Sequence, residues 1–122
     1  MGRPVHFEIP TAEPEQLADF YRQAFGWTIT KWEGPMDYWL VTTGEGSPGI
    51  DGAIMRAEGV FERLTNVIDV DAIDDAVGRL ESAGAQIVLP KHAVPGVGHV
   101  AYFRDPGGNI LGIIEADEAA TA

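Results

Sequence analysis

Two residues near the start of the chain, His6 and Glu8, have side chains that bind metals and move protons. They lie two positions apart in segment 5–9 (VHFEI), whose alternation of apolar and polar residues predicts a β-strand. Because strand side chains alternate, both residues point to one sheet face, with backbones about 7 Å apart. An imidazole and a carboxylate in this arrangement predict either two ligands of a weak, partly hydrated metal site or a general base.

Each of these residues also has a structural interpretation. In the functional interpretation, His6 is a metal ligand, a base or a hydrogen-bond donor on the floor of a cleft. In the structural interpretation, it is a polar residue in a solvated groove whose hydrogen bonds are made by a neighbouring group. Glu8 is a base whose pKa is raised in a half-closed cleft, or an edge-exposed or arginine-paired carboxylate. We expect both side chains to lie in a solvated groove, where truncation to Ala costs less than about 1 kcal/mol.

The other histidines and the strand aromatics are secondary candidates. His92 and His99 flank loop 93–98, and neither falls at a position typical of a metal ligand. Three aromatic residues lie on predicted strands, where some rings line a binding cleft and the others pack beneath helices. The predicted ligand-binding residues are therefore His6, Glu8, Tyr38, Trp39 and Tyr102.

Composition excludes several classes of function. The 122 residues fit one domain, and the absence of cysteine excludes disulfides, thiolate metal sites and thiol catalysis. A formal net charge of −11 disfavours nucleic acid and anionic membrane surfaces as partners. With no apolar run near the ~20 residues of a membrane span and no signal-peptide pattern, we expect a cytoplasmic protein. The acidity fits either a high-salt cytoplasm or an ordinary soluble protein.

The first half of the chain predicts one strand, one helix and three strands. Segment 14–25 has apolar residues at i, i+3, i+4, i+7 and i+8, with Pro14 suited to the first helical turn and Gly26 to the exit. We expect Phe20, Tyr21 and Phe25 to form the core between helix and sheet, so that Phe20→Ala costs about 3–5 kcal/mol. The predicted strands are 5–9, 27–32, 38–43 and 52–56.

The second half predicts the same order of elements. A helix begins with Asp71 as N-cap and ends near Gly84, and segment 105–109 (DPGGN) is a turn. We expect the tail from Glu115 onward to fray. The predicted strands are 64–70, 86–89, 99–103 and 109–114.

The chain therefore reads as β-α-β-β-β written twice, and segments 24–30 and 82–88 match in pattern at an offset of 58. We predict an α+β fold in which two βαβββ modules form curved sheets around a cleft, with the helices on the outer faces. The predicted modules are 3–58 and 62–115, followed by a frayed tail, 116–122. Exposed strand edges further predict a symmetric homodimer.

Short motifs in both halves resemble the vicinal oxygen chelate (VOC) superfamily, which includes glyoxalase I, bleomycin-resistance proteins and extradiol dioxygenases. They are HFEIP (6–10), FY (20–21), FGW (25–27), VD (70–71) and DPGGN (105–109). The resemblance covers residues 3 to 115 and is greatest to a small glyoxalase-like branch. It implies a divalent metal held by inward His and Glu side chains, which chelates two neighbouring substrate oxygens.

Most of the ligand positions that the resemblance implies lack the expected histidine or glutamate. His6 falls on the first-strand position, whereas Thr65 and Gly112 stand where glyoxalases have a histidine and a glutamate. Segment 52–56 offers neither a carboxylate nor an imidazole. Because stable sites need about three protein ligands, the sequence predicts a metal-poor cleft.

The leading hypothesis is a VOC protein that binds a small organic molecule without a tightly bound cofactor, its reaction unassigned. One alternative is a metal-dependent lyase or isomerase related to glyoxalase I, in which His6 and Glu8 hold a weakly bound divalent metal. Another is a non-catalytic, resistance-type dimer that sequesters its ligand. We expect purified protein to carry well under one equivalent of Zn, Ni, Fe or Mn.

Overall fold

The computed structural model of the chain describes residues 2–46 and 48–121 and divides into two compact units. The first module comprises residues 5–65, and the second comprises residues 66–121 together with 2–4. Each half of the chain supplies one strand, one helix and three further strands. The predicted α+β class and the duplicated βαβββ order are therefore confirmed.

Five elements come from the first half: β1 (Arg3–Thr11), α1 (Pro14–Phe25), β2 (Thr28–Lys31), β3 (Tyr38–Thr42) and β4 (Asp51–Arg56). Their strands are ordered β2-β3-β4-β1, with β4 parallel to β1 and antiparallel to β3. The second half supplies β5 (Thr65–Asp69), α2 (Ile73–Ser82), β6 (Gln86–Val94), β7 (Gly98–Arg104) and β8 (Ile110–Ala116). Its order is β5-β8-β7-β6, with β5 parallel to β8.

Helix α1 packs one of its faces against the first sheet. Pro14 occupies its first turn, and Gly26 ends it in the left-handed conformation, with φ of 71° and its N–H bonded to the Arg22 carbonyl. Both boundaries agree with the prediction. The buried core beneath the helix consists of Ala18, Ile29, Trp39, Val41 and Ile54.

The prediction that Phe20 and Phe25 belong to this core is wrong. They are 56% and 66% exposed, whereas Tyr21 packs against the core. The fully buried Ala18 has a small side chain that allows close approach of helix and sheet, so the larger rings lie at the margin of the contact. There the Phe25 ring contacts Trp27 at a centroid distance of 5.4 Å.

Helix α2 begins differently from the prediction. Its N-cap is Ala72, which makes no side-chain cap bond, so Asp71 does not cap the helix. Instead, the Ile73 N–H donates to the Glu115 carboxylate at 2.9 Å. Strand β8 continues to Ala116, beyond the predicted end at 114, and thereby carries Glu115 to the start of α2. The core beneath α2 consists of Ile73, Ala76, Ala101, Phe103 and Ile113.

The tail does not fray over the part that the structure describes, which extends to Thr121. The Gly96 N–H donates to the Ala120 carbonyl at 3.1 Å, and Ala120 is 6% exposed. These contacts hold the tail against the turn between β6 and β7. Among the described residues, no helix is both long and apolar enough to cross a membrane.

The exposure values predict different costs for two large-to-small substitutions in the first module. Ile54→Ala should lower the free energy of unfolding by about 2–5 kcal/mol, because Ile54 is completely buried. Phe20→Ala should cost less than about 1 kcal/mol, because more than half of that side chain is exposed. Denaturant melts of both variants test this order, and equal losses would contradict the packing described.

Candidate functional site

The alternation of side chains in β1 places its polar residues opposite α1. Phe7 and Ile9 pack against the core beneath α1, so His6 and Glu8 lie on the other side of the sheet. We call this surface the helix-free face of the first module. By the same alternation and register, its strand positions are His6, Glu8, Pro10, Thr28, Thr30, Tyr38, Leu40, Thr42, Asp51, Ala53 and Met55.

Glu8 is a buried carboxyl group with a hydrogen-bond donor close by. Its side chain is 2% exposed, and its Oε2 accepts a hydrogen bond from the Tyr38 hydroxyl. The expectation of a solvated groove is therefore wrong for Glu8. Burying a carboxyl group is costly unless hydrogen bonds replace its water, and Tyr38 contributes one such bond. Two predicted site residues, Glu8 and Tyr38, are thus brought together.

His6 is half-buried and lies opposite Asp51 in the β1–β4 ladder. Burial lowers the pKa of His6 below its ordinary value, and the nearby Asp51 carboxylate opposes part of that shift. The imidazole is therefore neutral at neutral pH and offers one nitrogen as acceptor and one as donor.

Asp51 is a candidate site residue that the sequence analysis missed. The predicted strand began at Gly52, but β4 begins one residue earlier, at Asp51. The prediction that this strand offers no carboxylate is therefore wrong. The alternation of Asp51, Ala53 and Met55 was the available signal, because it extends the strand by one residue on the face of His6. Asp51 also accepts a hydrogen bond from the Thr43 N–H at 2.9 Å.

The helix-free face is exposed to solvent at positions on β2 and β3 and buried at positions on β4 and β1. Leu40 is 39% exposed, and the neighbouring threonines of β2 and β3 are exposed as well. Ala53 and Met55 on β4 are buried, as is Glu8 on β1. A molecule approaching over β2 and β3 would therefore meet Leu40 before it met the buried carboxyl group.

Trp39 lies on the opposite side of the sheet from the helix-free face. It is 2% exposed in the core beneath α1, and its indole N–H donates to the Glu15 carboxylate. Lys31 and Arg56 approach its ring, at 5.6 and 5.7 Å from the centroid. Of the two β3 aromatics, Tyr38 thus lies on the face of His6 and Glu8, and Trp39 packs beneath the helix.

The two remaining histidines lie in the second module, within strands β6 and β7 rather than beside a loop. His92 Nδ1 is 3.0 Å from the Pro90 carbonyl oxygen, and His99 Nε2 is 3.3 Å from Asp117 Oδ2.

In the second module, Tyr102 fills the space beside Gly112. Tyr102 is 5% exposed, and it faces Gly112 across the β7–β8 ladder. A Cβ atom built on Gly112 would lie 2.8 Å from the Tyr102 ring and 3.2 Å from the Val67 side chain. The position at which the resemblance implies a glutamate ligand therefore has no room for one. Thr65, the other substituted position, is 7% exposed.

The residues present do not form the metal site that the resemblance implies. Within residues 2–46 and 48–121, no group of three His, Asp or Glu side chains is placed to hold a metal ion. His6 and Glu8 share a face, but the Glu8 carboxylate is already engaged by Tyr38. The arrangement instead offers hydrogen-bond acceptors, a neutral imidazole and apolar side chains.

The space around two glycines predicts opposite effects of the same substitution. Gly112→Ala should destabilise the protein by about 1–3 kcal/mol, because the new methyl group overlaps the Tyr102 ring. Gly78 lies in the interior of α2, and a Cβ atom built on it would meet nothing within 4 Å apart from its chain neighbours and the nearby backbone of the helix. Gly78→Ala should therefore stabilise the protein by about 0.5–1 kcal/mol. Thermal melts compare the two variants, and a stabilising Gly112→Ala would mean that Tyr102 does not fill this space.

The lowered pKa of His6 predicts how stability depends on pH. Below the ordinary histidine pKa the unfolded chain takes up a proton that the folded protein resists, so stability falls as pH falls. Between pH 7.5 and 5.5, wild type should lose more unfolding free energy than His6→Gln. Denaturant melts at both pH values test this, and identical slopes in wild type and His6→Gln would contradict it.

Comparisons with known proteins agree with the fold. The chain is 27% identical over 123 aligned residues to the anthracycline biosynthesis protein DnrV of Streptomyces peucetius, covering 88% of this chain and 44% of that one. The chain thus spans about half the length of the curated relatives it matches.

Two solved structures are similar across nearly the whole chain. The hypothetical protein BH1468 from Bacillus halodurans has a TM-score of 0.72 at 17% identity, covering 99% of each chain. Methylmalonyl-CoA epimerase from Mycobacterium tuberculosis has a TM-score of 0.69 at 14% identity, covering 93% of this chain and 87% of that one. The family profile matches residues 3–113, and the chain therefore belongs to the Glyoxalase/Bleomycin resistance protein/Dioxygenase superfamily.

Proposed function

We propose that this protein binds a small organic molecule on the helix-free face of the first module. The observation that carries the proposal is the gathering of Glu8, Tyr38, His6 and Asp51 on one face beside the exposed Leu40. Binding sites for small molecules combine apolar surface with a few polar groups, and this face has both. Superfamily membership supports the proposal.

The polar groups suggest how a ligand would be held. The hydrogen bond to the buried Glu8 orients the partly exposed Tyr38, so a ligand would meet an oriented ring rather than a mobile one. The neutral His6 imidazole can accept or donate one hydrogen bond. The exposed Leu40 offers the apolar contact on which most of the binding free energy of a small ligand rests.

We further propose that ligand binding proceeds without a tightly bound metal. Support comes from the substituted positions, Thr65 and Gly112, and from the Tyr102 ring beside Gly112. The alternative, a metal-dependent lyase or isomerase with His6 and Glu8 as ligands, requires Glu8 to exchange its Tyr38 hydrogen bond for the metal. Two protein ligands and water would hold a divalent metal only weakly.

The reaction, if the protein is an enzyme, is left unassigned. A neutral His6 is suited to act as a general base, which favours catalysis. The second candidate, sequestration without turnover by a resistance-type dimer, needs a further interface. The exposed rings of Phe20 and Phe25 support the proposal of a homodimer. We place the protein in the cytoplasm on its lack of cysteine.

An NMR screen of small aromatic and hydroxylated compounds tests the proposal. Ligands should shift the backbone amide signals of Tyr38, Leu40 and His6. Leu40→Ala should weaken their binding about fivefold, the effect of losing roughly 1 kcal/mol of apolar contact. Leu64→Ala truncates another exposed leucine, outside the strands, and should leave affinity unchanged. Ligands that shift only NMR signals of the second module would contradict the proposal.

Elemental analysis of untreated protein separates the metal-free and metal-dependent alternatives. One equivalent of Zn, Ni, Fe or Mn that is lost in both His6→Ala and Glu8→Ala would instead favour the metal-dependent lyase. Turnover of any compound found in the screen distinguishes an enzyme from a sequestering protein.

A further inference from the structure

The helix-free face has carboxyl groups and, at its strand positions, no lysine or arginine. Glu8 and Asp51 are its acidic residues, and the other nine positions carry uncharged side chains or the neutral His6 imidazole. All eleven positions lie within the described part of the chain. These strand positions therefore offer hydrogen-bond acceptors but no cation that could neutralise an acidic ligand.

The cations of the same sheet lie on its other side. Lys31 on β2 and Arg56 on β4 approach the Trp39 ring beneath α1. Both also form ion pairs with Asp37, at 3.4 and 3.1 Å. These contacts hold both positive charges on the side of the sheet opposite His6 and Glu8.

This distribution of charge has consequences for ligands. An anion on the helix-free face would lose water and gain no positive partner from these strand positions, and it would face the Asp51 carboxylate. The net charge of −11 adds a repulsive field around the whole chain. A ligand hydroxyl group, in contrast, can donate a hydrogen bond to a carboxylate oxygen or to the unprotonated ring nitrogen of His6.

The open part of the face suits an apolar ring. Leu40 is exposed between Thr30 on β2 and Ala53 on β4, its register partners. A flat ring over Leu40 would cover apolar surface, while hydroxyl groups at its rim would approach the exposed threonines and the exposed Asp51 carboxylate.

We propose that the helix-free face selects its ligand by charge. It takes an uncharged molecule with an apolar ring and hydroxyl groups, and it rejects a molecule of the same shape that carries sulfonate, phosphate or carboxylate groups. This inference rests on the proposed function and narrows it to a class of ligand. Coenzyme A carries phosphate groups, so the likeness to the Mycobacterium tuberculosis epimerase would not extend to its ligand.

Two probes on one ring system test the inference with the full chain. Calorimetric titration at pH 7.5 compares 1,5-dihydroxynaphthalene with naphthalene-1,5-disulfonate, and NMR amide shifts locate each probe. Wild type should bind the dihydroxy compound at the helix-free face at least tenfold more tightly than the disulfonate.

Arginine substitutions test whether charge on this face causes the selectivity. Leu40→Arg should gain at least tenfold in affinity for the disulfonate, because it supplies the missing cation. Thr42→Arg, at another exposed position of the same face, should gain in the same direction. Leu64→Arg makes the same change in net charge away from the strands and should leave the wild-type preference unchanged. Amide dispersion in the NMR spectra verifies that each variant is folded.

The outcomes separate this inference from the function on which it rests. Equal or tighter binding of the disulfonate by wild type at this face overturns the charge selectivity and leaves the proposed function standing. Continued rejection of the disulfonate by folded Leu40→Arg and Thr42→Arg also overturns it, because charge would not be the cause. If neither probe shifts an amide of the helix-free face, both the inference and the proposed function fail.

Discussion

The buried carboxyl group of Glu8 constrains the strand register of the first module. Glu8 is 2% exposed, and a carboxyl group taken out of water needs hydrogen bonds in return. One of them comes from Tyr38, which lies two strands away across β4. The bond therefore requires that β3, β4 and β1 keep their register, since a one-residue slip would turn Tyr38 or Glu8 towards α1.

The alternation of strand side chains places different kinds of residue on the two faces of the first sheet. Beneath α1, Trp39 is surrounded by apolar side chains and approached by Lys31 and Arg56. On the helix-free face, Glu8 and Asp51 lie among uncharged residues, with His6 kept neutral by burial. In the second module, Tyr102 occupies the room that an acidic side chain at position 112 would need. The lysine and arginine of the first sheet thus lie on the face opposite His6 and Glu8.

Much of this arrangement could be predicted, because strand alternation and helix boundaries are local properties. Pro14 and Gly26 marked the ends of α1, and the spacing of His6 and Glu8 placed them on one face. The errors concern properties that depend on packing. The exposure of Phe20 depends on how closely α1 approaches the sheet, and the burial of Glu8 depends on Tyr38, a residue distant in sequence. The cap of α2 was likewise missed because Glu115 comes from the last strand.

A crystal structure of the protein soaked with small organic probes tests the central claim most directly. The claim is that the helix-free face is the binding surface. The account predicts density for a probe in contact with Leu40 and Tyr38, with hydroxyl groups directed towards Glu8, Asp51 or His6. It also predicts that the hydrogen bond between Tyr38 and Glu8 is present in the crystals before soaking. Probes bound only elsewhere, with this face empty and the Glu8 carboxylate turned to a metal ion, would contradict the account.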